Sequence, residues 1–306
     1  MIFEYIPYEK FVSNAFFLCL LYWIVAFFLY LIRLFDEQGF GKATAYGKLA
    51  TPANPQNKEK EKEKEKGKES TNFFNKKVIV TKNAWTIFYL TLSVLSAVYL
   101  VLLCKIEDNL YNQKILYVLF IIQGLRRCYE TVKIQSHRYS EMSLFLFASG
   151  ISYYVFLASS IYFETLFKEM NGTILEQTNS LEKKNIIKII ISVALFTVNS
   201  YEQFQSHKIL ASLRATDKKD ESSTTPQYRI PYGRLFNRCS SPHYFCEILI
   251  YLSFLLLTYF NYYTLLLCFV FTFVNLFHRA SETHDWYITK FREYPKQRKI
   301  MIPNFI

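Results

Sequence analysis

AFFLCLLYWIVAFFLYLIRL, residues 15–34, decides the fold. It is a run of about 20 residues with one charge, Arg33, near its end. At 1.5 Å per residue a helix of that length crosses a hydrocarbon core of roughly 30 Å. The apolar run is too long for a signal peptide and no small-residue cleavage site follows it, so it reads as a retained span. Similar apolar stretches recur at 84–103, 115–132, 143–163 and 186–204, and a longer one runs from 245 to 278. This last stretch exceeds one span. Its polar centre, Asn261-Tyr262-Tyr263, suggests a hairpin between two helices, and one long tilted helix is the alternative. The expected fold is an all-α, polytopic integral membrane bundle of about seven helices. It forms a single membrane-embedded domain over 1–306.

Charge fixes the expected orientation. The chain has a net charge of +11, which could suggest nucleic acid. Its cations, however, sit between the apolar spans and concentrate in alternate loops. Ten Lys and Arg fall between Asp36 and Lys77 alone, and the loops after the third and fifth spans and the C-terminal tail belong to the same face. The positive-inside rule places that face in the cytosol. The opposite face carries Asn171-Gly172-Thr173, an N-glycosylation triplet that suits a lumenal loop. The Lys/Glu-rich stretch at 55–72 has nothing apolar to anchor it and reads as solvated low-complexity chain.

Six cysteines occur without a CxxC pair, so neither a disulfide framework nor a zinc site is expected. No HExxH occurs, and His278 and His284 do not share a helix face, so no metal is expected.

Polar residues at membrane depth mark candidate sites, because burying them there is costly. Three groups stand out. Arg126-Arg127-Cys128-Tyr129-Glu130 closes the third apolar stretch, with Arg and Glu at helical spacings of three and four. Gln203, His207 and Arg214 lead into a loop that ends at His243 and Glu247. His278, Arg279, His284, Trp286 and Tyr287 precede a basic, aromatic tail. Charges snorkelling at helix ends and a tail attracted to anionic lipid are the plain alternatives.

The same residues carry a family resemblance. THDWYITKFREYPKQRKIMIPNFI, residues 283–306, resembles the closing motif of the steroid 5α-reductases and their polyprenol-reductase relatives. YRIPYGRLFNRCSSPHYFCEILIY (228–251) is similar to the family's Arg-Ile-Pro-x-Gly segment, and QFQSHKILASLR (203–214) to the helix before it. RRCYE (126–130) is similar to the Arg-Arg-x-Tyr-Glu of the polyprenol branch, and AYGK (45–48) to a Tyr-Gly-Lys after the first span. The resemblance is concentrated in about 200–306.

It implies a seven-span endoplasmic reticulum membrane enzyme that takes NADPH from the cytosolic side and reduces a double bond conjugated to a carbonyl. Carried over position by position, it implies cofactor contacts from Tyr46, Arg127, Arg214, Tyr228, His243, Glu247, Arg279, Tyr287 and Arg298. Arginine forks suit phosphate oxygens. The implied substrate is a long-chain polyprenoid on the route to dolichol, handled by a protein that works as a monomer. Tyr129, His207 and His284 are the candidate proton or hydrogen-bond donors. Steroid-reducing members have a Tyr in span three where this chain has Gly124. Their Glu before span two aligns near Ile79, and the family's span-two His falls at Ile87. A steroid or enoyl-thioester reductase on the same fold remains an alternative, as does a non-enzymatic lipid-binding transporter or scaffold.

Overall fold

The computed structural model describes residues 8–35, 77–106, 109–135, 141–173, 183–215 and 228–305. Tyr46 and the stretch 55–72 lie outside them, and so does the side chain of Arg214. Within them are seven α-helices: α1 Tyr8–Phe35, α2 Thr81–Ile106, α3 Tyr111–Tyr129, α4 Leu144–Met170, α5 Lys183–Ala215, α6 Pro242–Leu257 and α7 Tyr263–Lys290. α3 runs on into a π-helical turn, Glu130–Ile134. The short strands β1 Lys77–Val80 and β2 Glu141–Ser143 pair antiparallel just ahead of α2 and α4.

Helices α1, α2, α4 and α7 are long and apolar enough to cross a membrane, whereas α6 is apolar but only 16 residues long. α3 and α5 dilute their apolar character with buried Gln123, Arg127, Asn199 and Gln203. The outward face of α1 exposes Phe17, Leu18, Leu21, Phe28 and Ile32, each more than half accessible. A contiguous apolar face of this kind suits lipid.

Side-chain pairings show the helices running alternately between two ends. At one end Phe16 stacks on Phe167, with ring centroids 4.5 Å apart, and Gln113 donates to the Tyr262 hydroxyl at 3.0 Å. At the other, Arg127 reaches Tyr89, and His207 reaches Glu130. Between them lies an aromatic core around Trp23, Tyr117, Phe120 and Phe254. Polar contacts cross it: Trp23 donates to Ser160 Oγ at 2.9 Å, and the Tyr153 hydroxyl meets those of Tyr251 and Thr272 at 2.8 and 2.7 Å.

Gly124 marks a close approach of α3 to α2. A Cβ there would lie 2.2 Å from Ser93 Oγ and 2.8 Å from the Tyr89 carbonyl oxygen. Small residues at helix contacts allow this proximity in a membrane.

The hairpin expected at 261–263 is present. α6 stops at Leu257, and Tyr259 and Phe260 take left-handed φ values of 55°. A buried ion pair on α4 holds this strained turn in place. Tyr262, the N-cap of α7, makes no side-chain cap. Instead Glu164 of α4 accepts from the Tyr263 and Thr264 amides at 2.8 and 3.0 Å and from the Thr264 hydroxyl at 2.6 Å. Lys168, 3.3 Å from Glu164, also donates to the Asn261 carbonyl. A carboxylate at a helix N-terminus meets both the orphan amides and the positive end of the dipole. Asn171 is exposed at this same end.

Because Glu164 is fully buried, replacing it strands Lys168 and the two amides. Glu164→Ala should cost about 3–5 kcal/mol, read as a lower thermal midpoint in detergent. Glu164→Gln should cost visibly less.

Candidate active site

The third apolar stretch ends where the charges begin, and the helix there changes pitch. At Glu130 α3 takes up a π turn, the kind of irregularity that gathers at functional sites. Gln123, Arg126, Arg127 and Glu130 share a face at spacings of three and four. Glu130 is fully buried, and each of its oxygens is ion-paired to one guanidinium, Arg126 on Oε1 and Arg127 on Oε2. Arg126 also donates to Gln123 Oε1 at 2.7 Å and Gln203 Oε1 at 2.5 Å. Arg127 donates to the Tyr89 hydroxyl at 2.7 Å and lies over that ring, 4.8 Å from its centroid.

α5 and α6 complete the cluster. His207 Nδ1 is 2.6 Å from Glu130 Oε2 and 2.8 Å from Arg127 Nη1. A protonated Nδ1 donates to Glu130, which can only accept. Gln203 Nε2 donates to the His243 carbonyl at 3.1 Å and to Glu247, and the His207 and His243 rings lie 5.6 Å apart. Two guanidiniums, two carboxylates and two imidazoles thus meet at one end of the bundle.

The loop before α6 and the tail after α7 form the adjoining wall. Gly233, at φ 97°, and Arg234, at 49°, turn the chain into the 3₁₀ turn Arg234–Asn237. A side chain at position 233 would be strained. Ser240 ties the two segments. Its amide donates to the Lys299 carbonyl at 2.9 Å, and its hydroxyl lies 2.6 Å from both His284 Nδ1 and the Tyr294 hydroxyl. Tyr287 stacks on Tyr294 at 5.3 Å, and Tyr228 packs on Trp286 at 5.0 Å. Arg298 is 3% exposed. It donates to the Pro231 carbonyl at 2.9 Å and lies over the Tyr232 ring at 4.6 Å. Cys239 is fully buried, and that burial pushes its thiol up to about 12. It is therefore protonated and no nucleophile.

The structure brings Arg127, His207, His243 and Glu247 together. It places Tyr228, His284, Tyr287 and Arg298 in the adjoining wall. Arg279 is buried on α7 and reaches Glu282 at 3.3 Å. Tyr129 is 56% exposed and stands outside the cluster. Tyr89 is marked by none of the polar groups legible in the sequence. In a chain with 24 Tyr, a tyrosine inside an apolar span carries no signal of its own.

Removing the shared anion should be severe. Glu130→Ala leaves two guanidiniums buried without their counter-ion, at about 3–5 kcal/mol. A thermal midpoint within error of the unmodified protein would show the cluster to be electrostatically idle.

Comparison with known proteins gives the lineage. The profile of the family described as 3-oxo-5-alpha-steroid 4-dehydrogenase matches residues 141–306, which includes α4 to α7 and the tail. Polyprenal reductase 2 of Oryza sativa subsp. japonica is 32% identical over 208 residues, 61% of this chain and 57% of that protein. The polyprenal reductase of Caenorhabditis elegans is 33% identical over 188 residues, and that of Drosophila melanogaster 33% over 184. These matches cover 61% and 60% of this chain, and 58% and 55% of the two relatives. The chain thus spans less than two thirds of each relative's length. With more than half of its residues in the family match and the polar cluster at the bundle's end, the chain belongs to the 3-oxo-5-alpha-steroid 4-dehydrogenase family.

Proposed function

We propose that this protein reduces the carbon–carbon double bond of the α-isoprene unit in a long-chain polyprenal, using NADPH, in the endoplasmic reticulum membrane on the route to dolichol. The observation that carries the reading is the Arg126–Arg127–Glu130–His207–Glu247 cluster around buried Glu130, built at the end of an apolar bundle in a chain similar to polyprenal reductases.

The residues fit an anionic dinucleotide. Among the described residues, buried Arg298 Nε and Ser241 Oγ have no hydrogen-bond partner. Unmet donors of this kind suit phosphate oxygens. Arg298 and Arg279, with Arg214, would hold the phosphates, and Tyr228 and Tyr287 would offer ring faces. Tyr46 belongs to the same proposed set. When bound, the nicotinamide supplies a hydride. The chain's own work is to hold Arg127 rigid through Glu130 and His207, to keep water from the apolar bundle, and to present a donor to the carbonyl oxygen. His243 and Glu247 sit between the cluster and the tail wall, where they would orient the cofactor. His284, bonded to Ser240 and Tyr294, fixes that wall.

The aldehyde is favoured over the alcohol by chemistry. Hydride adds to a carbon whose electrons can flow to a stabilised oxygen, and an allylic alcohol has no such sink. Gly124 supports the polyprenoid branch over the steroid one, since α2 leaves no room there for the Tyr of steroid-reducing relatives. A lipid-binding scaffold would show no nicotinamide dependence.

Purified protein with NADPH should reduce a polyprenal far faster than the matching polyprenol, with no added dehydrogenase. Equal or faster reduction of the alcohol would refute the mechanism. Arg298→Ala should raise the KM for NADPH about 10- to 100-fold, as expected for one charge-assisted contact of about 1.5–3 kcal/mol. Equal activity of the unmodified protein with NADH and NADPH would argue against recognition of the 2′-phosphate. In sealed microsomes Asn171 should accept glycan, while protease should cut at 58–69 without detergent; the reverse pattern inverts the proposed topology.

A further inference from the structure

Resting on the reductase reading above, we infer that Tyr89 is the residue that donates a hydrogen bond to the substrate's carbonyl oxygen, with Arg127 acting through it as a positioning residue. Tyr89 sits on α2 and is 6% exposed. Its hydroxyl oxygen accepts Arg127 Nη2 at 2.7 Å. A guanidinium has no acceptor to offer in return, so the Tyr89 proton must point elsewhere. Among the described residues, the hydroxyl's one hydrogen bond is the one it accepts from Arg127. A buried O–H left this way costs about 1–3 kcal/mol. An aldehyde oxygen would satisfy it.

The surroundings match that ligand. Trp85 stacks on Tyr89 at 5.8 Å, and Tyr154 meets it edge-on at 5.6 Å. Phe88 and Phe147 continue the aromatic wall, with centroids 5.6 Å apart. An isoprene unit placed here would meet apolar ring faces beside one polarised hydroxyl. Arg127 is itself fixed on two sides, by Glu130 and by the Tyr89 ring. Gly124 sets the distance. Its bare Cα lets the Tyr89 carbonyl and the Ser93 hydroxyl press against α3 one turn before Arg127. A side chain at 124 would push Tyr89 off its arginine.

The electron and proton count closes. Hydride gained at the β-carbon, from the reduced nicotinamide, breaks the carbon–carbon π bond. That pair forms a new π bond between the α-carbon and the carbonyl carbon, and the carbonyl π pair moves to oxygen. The oxygen takes the Tyr89 proton, and the tyrosinate left behind is stabilised by the Arg127 charge. As a solvent proton adds to the α-carbon, the enol returns its proton to Tyr89. The net change is one hydride and one proton across the double bond. A donor aimed at developing oxyanion charge acts mainly in the transition state.

Tyr89→Phe keeps the ring under Arg127 and removes only the hydroxyl. It should lower kcat for polyprenal about 100-fold or more, the scale of one lost oxyanion donor. The KM for NADPH and the thermal midpoint should stay close to those of the unmodified protein. A readout independent of turnover is the carbonyl stretch of a carbon-13-labelled saturated aldehyde bound to the protein. It should lie at lower wavenumber than in hydrocarbon, and Tyr89→Phe should return it. Unchanged kcat in Tyr89→Phe, an unshifted stretch in the unmodified protein, or a comparable loss confined to Tyr154→Phe would each overturn the assignment to Tyr89. Failure of the unmodified protein to reduce polyprenal would overturn the reductase reading, and this inference with it.

Discussion

Glu130 is a carboxylate with no access to water, placed where a helix leaves its apolar stretch. A lone charge there would be prohibitively costly, so its surroundings are dictated by it. Arg126 and Arg127 neutralise it from its own helix. Because each also has donors left over, they reach outward to Gln203 on α5 and Tyr89 on α2. His207 closes the remaining approach. One buried anion thus gathers three helices, and the geometry of the site follows from satisfying it.

The opposite end of the bundle answers the same constraint with different parts. Glu164 is equally buried, yet its bonds go to the amides of α7 and to Lys168. There the carboxylate replaces a missing cap and locks a turn that has two residues in left-handed conformations. Its partners are two backbone amides, the Thr264 hydroxyl and one lysine, and that lysine is itself bonded to the Asn261 carbonyl. At the Glu130 end, among the described residues, idle donors remain on Arg298 and Ser241, and the Tyr89 hydroxyl is bonded only as an acceptor, from Arg127.

The bundle between these ends is apolar inside and out, so packing alone distinguishes its faces little. What specifies it is a set of buried hydroxyl and indole contacts, such as Trp23 to Ser160 and Tyr153 to Tyr251 and Thr272, together with close approaches at small residues. Gly124 and Gly150 are both placed where a Cβ would strike the neighbouring helix. In lipid such approaches do the work that hydrophobic burial does in water.

Much of this was legible in the sequence because long apolar runs have one physical outcome. Segments such as 15–34 must become helices in a bilayer, where every amide has to be satisfied within the segment. The break at 261–263 was legible because polar residues interrupt the run, and the charged groups at 126–130, 203–207 and 278–298 were legible because charge is costly at that depth. Helix ends ran longer than their apolar cores, since polar turns continue a helix without any hydropathy signal. Only the tertiary structure decided which charges meet. Tyr89 lies 38 residues from Arg127 along the chain, and nothing in an aromatic-rich span announces that one hydroxyl will face a guanidinium. That contact depends on how closely α2 and α3 approach, which is set by the missing side chain at Gly124, and contact distance between helices is a property of packing that local sequence does not encode.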